Sequence, residues 1–433
     1  MTSQRQGAIV SVTTIAAATT ILLTAAACDP TEIHTLHTLH TDSAGIPIVT
    51  AIAPLWDLDE AWTVDPEPLV QIGSVSGALE YQFSDVVAAV RLSDGDIVVA
   101  DRGASELRSY DAVGTFRWSS GRFGEGPGEF ESLDFVGITV GDSMVAYDSS
   151  LMRVQVFGPD GKLARTLRVA LADEGPAGAT AVADKAVGIV DGMLIVRFIE
   201  YGDRYEMPTG IVRWPLERLA ALDLSDGRVR SLMVLPGHEA HVRIDGDRWS
   251  IGSYAFFRGP EYAAAGGRLA VTDTEAWSVS LVSPRDGTIG AIHRRDIAPR
   301  EATAALFDLH LDGIVDIAFP DPDAAAPEDV QRLRQMWRQF PRSPQLPVLR
   351  SVHVDATGHL WLTPYYVAGA DPPPFEIHDP GGTWLGSVSV PPGLQRAFIQ
   401  YQAPYMEIGE DYILGVWTDD LDVQYVRLYR IGK

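Results

Sequence analysis

The sequence offers few groups arranged for chemistry. His238-Glu-Ala-His241 sets two imidazoles three residues apart. On a helix that spacing could serve one zinc ion, but the surrounding residues read as loop or strand, and no third ligand follows. A surface polar pair is the expected role, with His238 and His241 as weak metal candidates only. His353 and His359 flank Asp355 around a turn and read as structural. His34, His37 and His40 recur at every third position in a polar stretch and read as spacer, since a flexible segment must lose entropy to hold a metal. Gly121 to Phe130 is glycine-rich yet matches neither phosphate-binding spacing, and no helix is expected after it. No Gly-x-Ser-x-Gly elbow is present. What remains is a set of aromatic and cationic residues: Tyr254, Tyr365, Tyr366 and Tyr405 with Arg243, Arg258 and Arg350. Together with Phe256, Phe257 and Trp337 they could stack on a ligand and contact its anionic groups.

Those residues need a scaffold and an address. The 34 basic and 58 acidic residues leave a charge of −24, which repels phosphate backbones and excludes nucleic acid as an expected partner. The single cysteine, Cys28, rules out an internal disulfide. It ends an N-terminal segment in which Arg5 precedes an apolar run from Ala8 to Ala27, the layout of an export signal.

Ala25-Ala26-Ala27-Cys28 resembles the lipobox of bacterial lipoproteins, departing from its commonest form at Ala25. The resemblance implies a signal peptide over 1–27 and lipidation at Cys28. The protein would then be exported and lipid-anchored to the cell membrane or outer membrane, facing the periplasm or exterior. An uncleaved anchor helix is the competing reading, because about 20 apolar residues can span a bilayer. Residues 28–45 are polar, without a period that could bury a face, and read as the lipidated cysteine and a flexible tether.

From there to 433 the sequence reads as one all-β domain. Two stretches superimpose at an offset of 47: Phe83 on Phe130, Asp101 on Asp148, Tyr110 on Phe157 and Gly114 on Gly161. A period of this size with four short strands per unit signals a propeller. Glycine-marked turns continue with drift to the C-terminus, giving five full blades and a sixth that lacks one strand. Trp62 to Ile72 has strand character and is the expected closing strand, since an open seam would leave backbone unpaired. A six-bladed β-propeller over 46–433 follows.

Gly121-Arg-Phe-Gly-Glu-Gly-Pro-Gly-Glu-Phe130 and Asp148-Ser-Ser-Leu-Met-Arg153-Val-Gln-Val-Phe157 resemble bacterial six-bladed propellers with NHL-type repeats, over about residues 62–170. The resemblance makes Asp101 and Asp148 turn-capping aspartates and Arg153 the repeat's arginine, while Glu106 departs from it. That family is functionally mixed, so it implies fold rather than activity.

Insertions fall at 200–215, 236–253, 298–346 and 365–375, the last carrying three prolines. The alternation of strand direction sends all of them to one face, the face to suspect of binding. In 298–346, between blades four and five, Pro327-Glu-Asp329 starts a helix well, and Val330, Leu333, Trp337 and Phe340 line one side of it. The expected function is binding of a protein, peptide or glycan through this face. A metal-dependent hydrolase, lactonase or lyase at the channel mouth, holding calcium or zinc, and a structural envelope component are the alternatives. No cofactor is identified, and no catalytic nucleophile is visible.

Overall fold

The computed structural model describes residues 36–57, 60–171, 180–201, 209–246, 248–252, 254–319, 325–395, 405–419 and 421–433. The segment 1–35, on which the expected export signal, Cys28 and His34 fall, lies outside the described residues.

The described chain is dominated by four-stranded antiparallel meanders. The first comprises Val86–Arg91, Ile97–Asp101, Glu106–Tyr110 and Phe116–Ser120. The second comprises Leu133–Ile138, Met144–Asp148, Arg153–Phe157 and Leu163–Arg168. The third is Thr180–Val190, Met193–Tyr201, Leu216–Asp223 and Val229–Leu235. The fourth is Pro260–Ala265, Arg268–Asp273, Ser278–Val282 and Ile289–Arg294. The fifth is Leu349–Val354, Leu360–Pro364, Phe375–His378 and Trp384–Val388. The last sheet holds Glu407–Ile408, Tyr412–Thr418 and Gln424–Gly432, and Val70–Ile72 pairs antiparallel with Gln424–Gly432.

The apolar material is divided into slabs between consecutive sheets. In the strand Ile97–Asp101, Val98 and Ala100 pack toward the second meander while Ile97 and Val99 pack toward the last sheet. In Met144–Asp148, Met144 and Ala146 face the first meander, and Val145 and Tyr147 face the third. All five residues of each strand are therefore buried, as a side-chain period of two requires when both faces are covered. Further slabs lie between the third and fourth, fourth and fifth, and fifth and last sheets. The arrangement is propeller-like.

The turn-capping role of the aspartates is plain in the hydrogen bonds. Asp148, fully buried, accepts from the backbone N–H groups of Glu131 (2.9 Å), Ser132 (3.2 Å) and Leu151 (3.1 Å). Asp101 accepts from Ser84, Asp85 and Ala104, the same positions 47 residues earlier. Arg153 donates to the carbonyls of Glu125, Gly126 and Glu129, which pins the glycine-rich loop as a blade connection. Gly161 holds φ +75 in a hairpin turn, where a Cβ would come 2.7 Å from the Trp118 ring.

Two expectations need correction. The tether expected over 28–45 ends earlier, because Thr38–Ser43 is an edge strand paired with Ile46–Ala51. Ala44 and Gly45 turn the hairpin at positive φ, and Asp42 Oδ1 accepts from Gly45 N at 2.9 Å. Ile46–Ala51 in turn adds parallel to Ile289–Arg294, the outer strand of the fourth meander. Backbone pairing at an exposed edge needs no apolar period, so composition alone suggested a tether.

The second correction concerns 298–346, which holds two helices, α1 (Ala304–Ala318) and α2 (Pro327–Gln339). Thr303 caps α1, its hydroxyl accepting from Leu306 N, and Phe307, His310, Leu311, Ile314 and Val315 form its buried stripe. The expected helix is α2, which buries no residue fully and is tied to α1 by Arg334–Asp312 at 2.6 Å and Arg338–Asp308 at 3.2 Å.

Candidate functional site

The first strands of the successive sheets converge on a cavity of about 440 Å³. Val87, Phe135, Lys185, Pro260, Leu349 and Met406 bring each successive sheet to its wall. The inserted segments form its rim: His238 and Glu239 from the connection between the third and fourth meanders, His310 and Trp337 from the two helices, and Tyr365 from the fifth meander. Residues of several long connections thus share one concave space with the sheets.

A charged cluster occupies one wall. Glu217, buried, accepts from His238 Nδ1 at 2.9 Å and from the Tyr262 hydroxyl at 2.7 Å, and meets Arg197 at 3.4 Å. Asp184 also pairs with Arg197. Burial would raise the Glu217 carboxyl, but its bonds from His238 and Arg197 hold it below the usual range. For His238 burial works downward, yet Glu217 and Glu261, the latter 3.8 Å from Nε2, push the imidazole up to about 9. Both ring nitrogens face a carboxylate, which favours the protonated imidazole.

His238, a weak metal candidate from its sequence, is held here between Glu217 and Glu261. His241 lies on the insertion strand Glu239–Asp245 and does not line the cavity. Among the described residues no three His, Cys, Asp or Glu side chains group as metal ligands.

Lys185 stands apart within the cluster. The strand Thr180–Val190 carries bulges on either side of Lys185 and Ala186, which leave Asp184 and Val187 without cross-strand partners. Lys185 pairs in register with Arg197, so two cations face each other across the ladder. Burial, then Arg197, lowers the lysine's proton affinity. Among the described residues its ammonium has no hydrogen-bond or ion-pair partner.

Much of the remaining lining is aromatic. Tyr254, Tyr365 and Tyr405 line the cavity, all three with their hydroxyl pKa raised by burial, Tyr365 to about 12. Tyr405 packs edge-on against Phe135 at 5.2 Å, and its N–H donates to Val87 O. Arg350 also lines the cavity, its guanidinium 4.6 Å from the Tyr366 ring and 5.8 Å from the Tyr365 ring. His310 is pushed down to about 4 by burial and by Arg350, and its Nδ1 accepts from Ala368 N.

Three expected ligand residues fall elsewhere. Arg258 is committed to Glu239 through its Nε at 3.1 and 3.2 Å and to Glu275 at 2.9 Å, so it braces the rim. Tyr366 lies behind Arg350, lining a separate pocket. Arg243 is exposed and does not line the cavity. The residues that the sequence did not point to are Lys185, Arg197, Glu217, Glu261 and Tyr262. Lys185 lies between two bulges, the others lie on neighbouring strands, and no local motif marks them. The one available signal was a run of charged residues at positions where a propeller strand is otherwise apolar.

No protein-family model and no curated protein matches the chain. Among solved structures, a member of the DUF4221 family from Bacteroides vulgatus is similar at TM-score 0.50 and 10% identity, over 86% of this chain and 99% of that one. A protein of Bacteroides fragilis described as exported matches at TM-score 0.45 and 11% identity, over 88% and 98%. A virginiamycin B lyase from Staphylococcus aureus matches at 0.37 and 9%, over 86% and 100%. The likeness is one of β-propeller-like fold.

Proposed function

We propose that the chain is an exported, lipid-anchored envelope protein whose six-bladed propeller binds a glycan or peptide segment in the cavity beneath its inserted loops. The pairing of Val70–Ile72 with Gln424–Gly432 and the apolar slabs between successive sheets support six blades closed by an N-terminal strand. The lipobox-like Ala25-Ala26-Ala27-Cys28 supports the anchor.

The observation that carries the binding reading is the cavity itself. Its volume of about 440 Å³ suits a sugar ring or a few side chains rather than a flat protein surface. Tyrosines and Trp337 supply faces on which such a ligand stacks, and the Glu217 cluster and Arg350 supply fixed polar groups.

Titration of the purified protein with oligosaccharides and short peptides tests it. A binder from one class is expected, and Tyr365→Ala or Arg350→Ala should weaken it roughly tenfold, about 1.4 kcal/mol. Affinity unmoved by both substitutions would overturn the placement. The anchor is tested separately: Cys28→Ser should release the protein from membranes into the soluble fraction.

A further inference from the structure

We propose that Lys185 is a carbonyl-capturing amine, which takes an aldehyde or ketone, such as the open-chain reducing end of a sugar, as an imine inside the cavity. This rests on the ligand-cavity reading above and adds to it the chemical class of the group held.

Only three of the 34 basic residues are lysine: Lys162, Lys185 and Lys433. Lys162 lies on an exposed hairpin turn paired with Asp160 at 2.5 Å, and Lys433 is the C-terminal residue, 4.1 Å from the Trp62 ring. The third is the one inside the cavity. Arginine carries the charge almost everywhere else in this chain, so the type at 185 matters physically. A guanidinium keeps its proton under all ordinary conditions, whereas an ammonium can give its proton up.

Every charged element around Lys185 has other commitments. Arg197 opposes it from the neighbouring strand and is itself neutralised by Asp184 and Glu217. Glu217 also holds His238 and Tyr262, and Glu261 lies against His238. The bulge at Asp184 gives the carboxylate beside Lys185 in sequence to Arg197 and leaves the lysine without an ion-pair contact, so that Glu261, Asp184 and Glu217 act on it only through space. An amine in such a place loses its proton more readily than an exposed lysine, and the neutral form is the nucleophile.

The step balances without a further reactant. The Nζ lone pair forms a bond to the carbonyl carbon, and the carbonyl π electrons move to oxygen. The two amine protons pass to that oxygen, which leaves as water while the carbon–nitrogen double bond forms.

Reductive trapping with benzaldehyde and cyanoborohydride, followed by peptide mapping, reads the outcome on the intact wild-type protein. At about pH 7 Lys185 should label at least tenfold faster than Lys162. Raising the pH by one unit increases the free-amine fraction of an ordinary lysine about tenfold and that of a lysine with lowered proton affinity by less, so the ratio of Lys185 to Lys162 labelling should fall. In denaturant the difference should vanish, and Lys185→Arg should remove only the cavity adduct. A Lys185 that labels no faster than Lys162, or a ratio that ignores pH, would overturn the inference and assign the residue to pairing with a ligand carboxylate. If a glycan or peptide still binds, and still weakens with Tyr365→Ala, the cavity reading survives that failure.

Discussion

The first two meanders and the third use their polar side chains in opposite ways. In the first two, Asp101, Asp148, Arg108 and Arg153 are spent on the backbone of the preceding connection. In the third, Asp184 and Glu217 turn toward Arg197, Lys185 and Arg197 line a cavity, and the strand Thr180–Val190 carries two bulges. A polar group that ties down a loop can recur in every blade, because every blade has that loop. A polar group that serves one cavity has no counterpart to repeat. The regular part is scaffold, and the irregular part houses the site.

The largest expected effect breaks the regular part. Asp148→Ala removes the acceptor of three backbone N–H groups at a fully buried position. Each orphaned donor costs roughly 1–3 kcal/mol, so a loss of about 3–5 kcal/mol in urea unfolding is expected. Ligand affinity of the fraction that folds should stay within about twofold, because no cavity residue is touched. A mild change in stability would mean that water replaces the carboxylate, and would erase the contrast drawn here.

Acid should separate the regions next. Between the fourth and fifth meanders, His293 is pushed down to about 4, by burial and then by Arg268. His378, stacked 4.5 Å from the Trp277 ring, is pushed down to about 3 by burial and then by Arg295. Their unfolded values lie near 6.5, so below that pH the unfolded chain binds more protons and stability falls as pH falls. Each histidine contributes on the order of 2 kcal/mol of that loss by about pH 5. The slab between the first and second meanders contains no histidine among its described residues. Hydrogen exchange at about pH 5 should therefore rise at Ser278–Val282 and Phe375–His378 before it rises at Ile97–Asp101. Uniform acceleration across all three strands would argue against a local cause.

Legibility in the sequence follows the same divide. The offset of 47 and the Asp-Gly turns were readable because a repeated solution leaves a repeated mark, and the caps of Asp101 and Asp148 lie where that mark placed them. The stripe Phe307, Leu311, Ile314 and Val315 was also on the page, and marks α1 once read at a period of 3.6. Tyr254, Tyr365, Tyr405 and Arg350 could be reached by noting aromatics and arginines in long connections. Lys185, Glu217 and Tyr262 could not, since their meeting depends on the register of separate strands. Gly188 is part of the same problem. A Cβ there would lie 2.0 Å from Ala264 O, so the third meander approaches the fourth closely only because residue 188 has no side chain.

The smallest effect is expected at Arg243, and it separates the two criteria by which ligand residues can be chosen. Residue type and loop position alone put Arg243 beside Arg350 as equal candidates. Geometry divides them: Arg350 stands at the cavity wall over tyrosine rings, while Arg243 projects from an insertion strand into solvent. Arg243→Ala should therefore shift stability by less than about 0.5 kcal/mol and leave ligand affinity unchanged, against the tenfold loss expected for Arg350→Ala. Equal losses at both positions would mean that the ligand reaches past the rim onto the outer insertion sheet, and that the cavity is only one part of a wider surface.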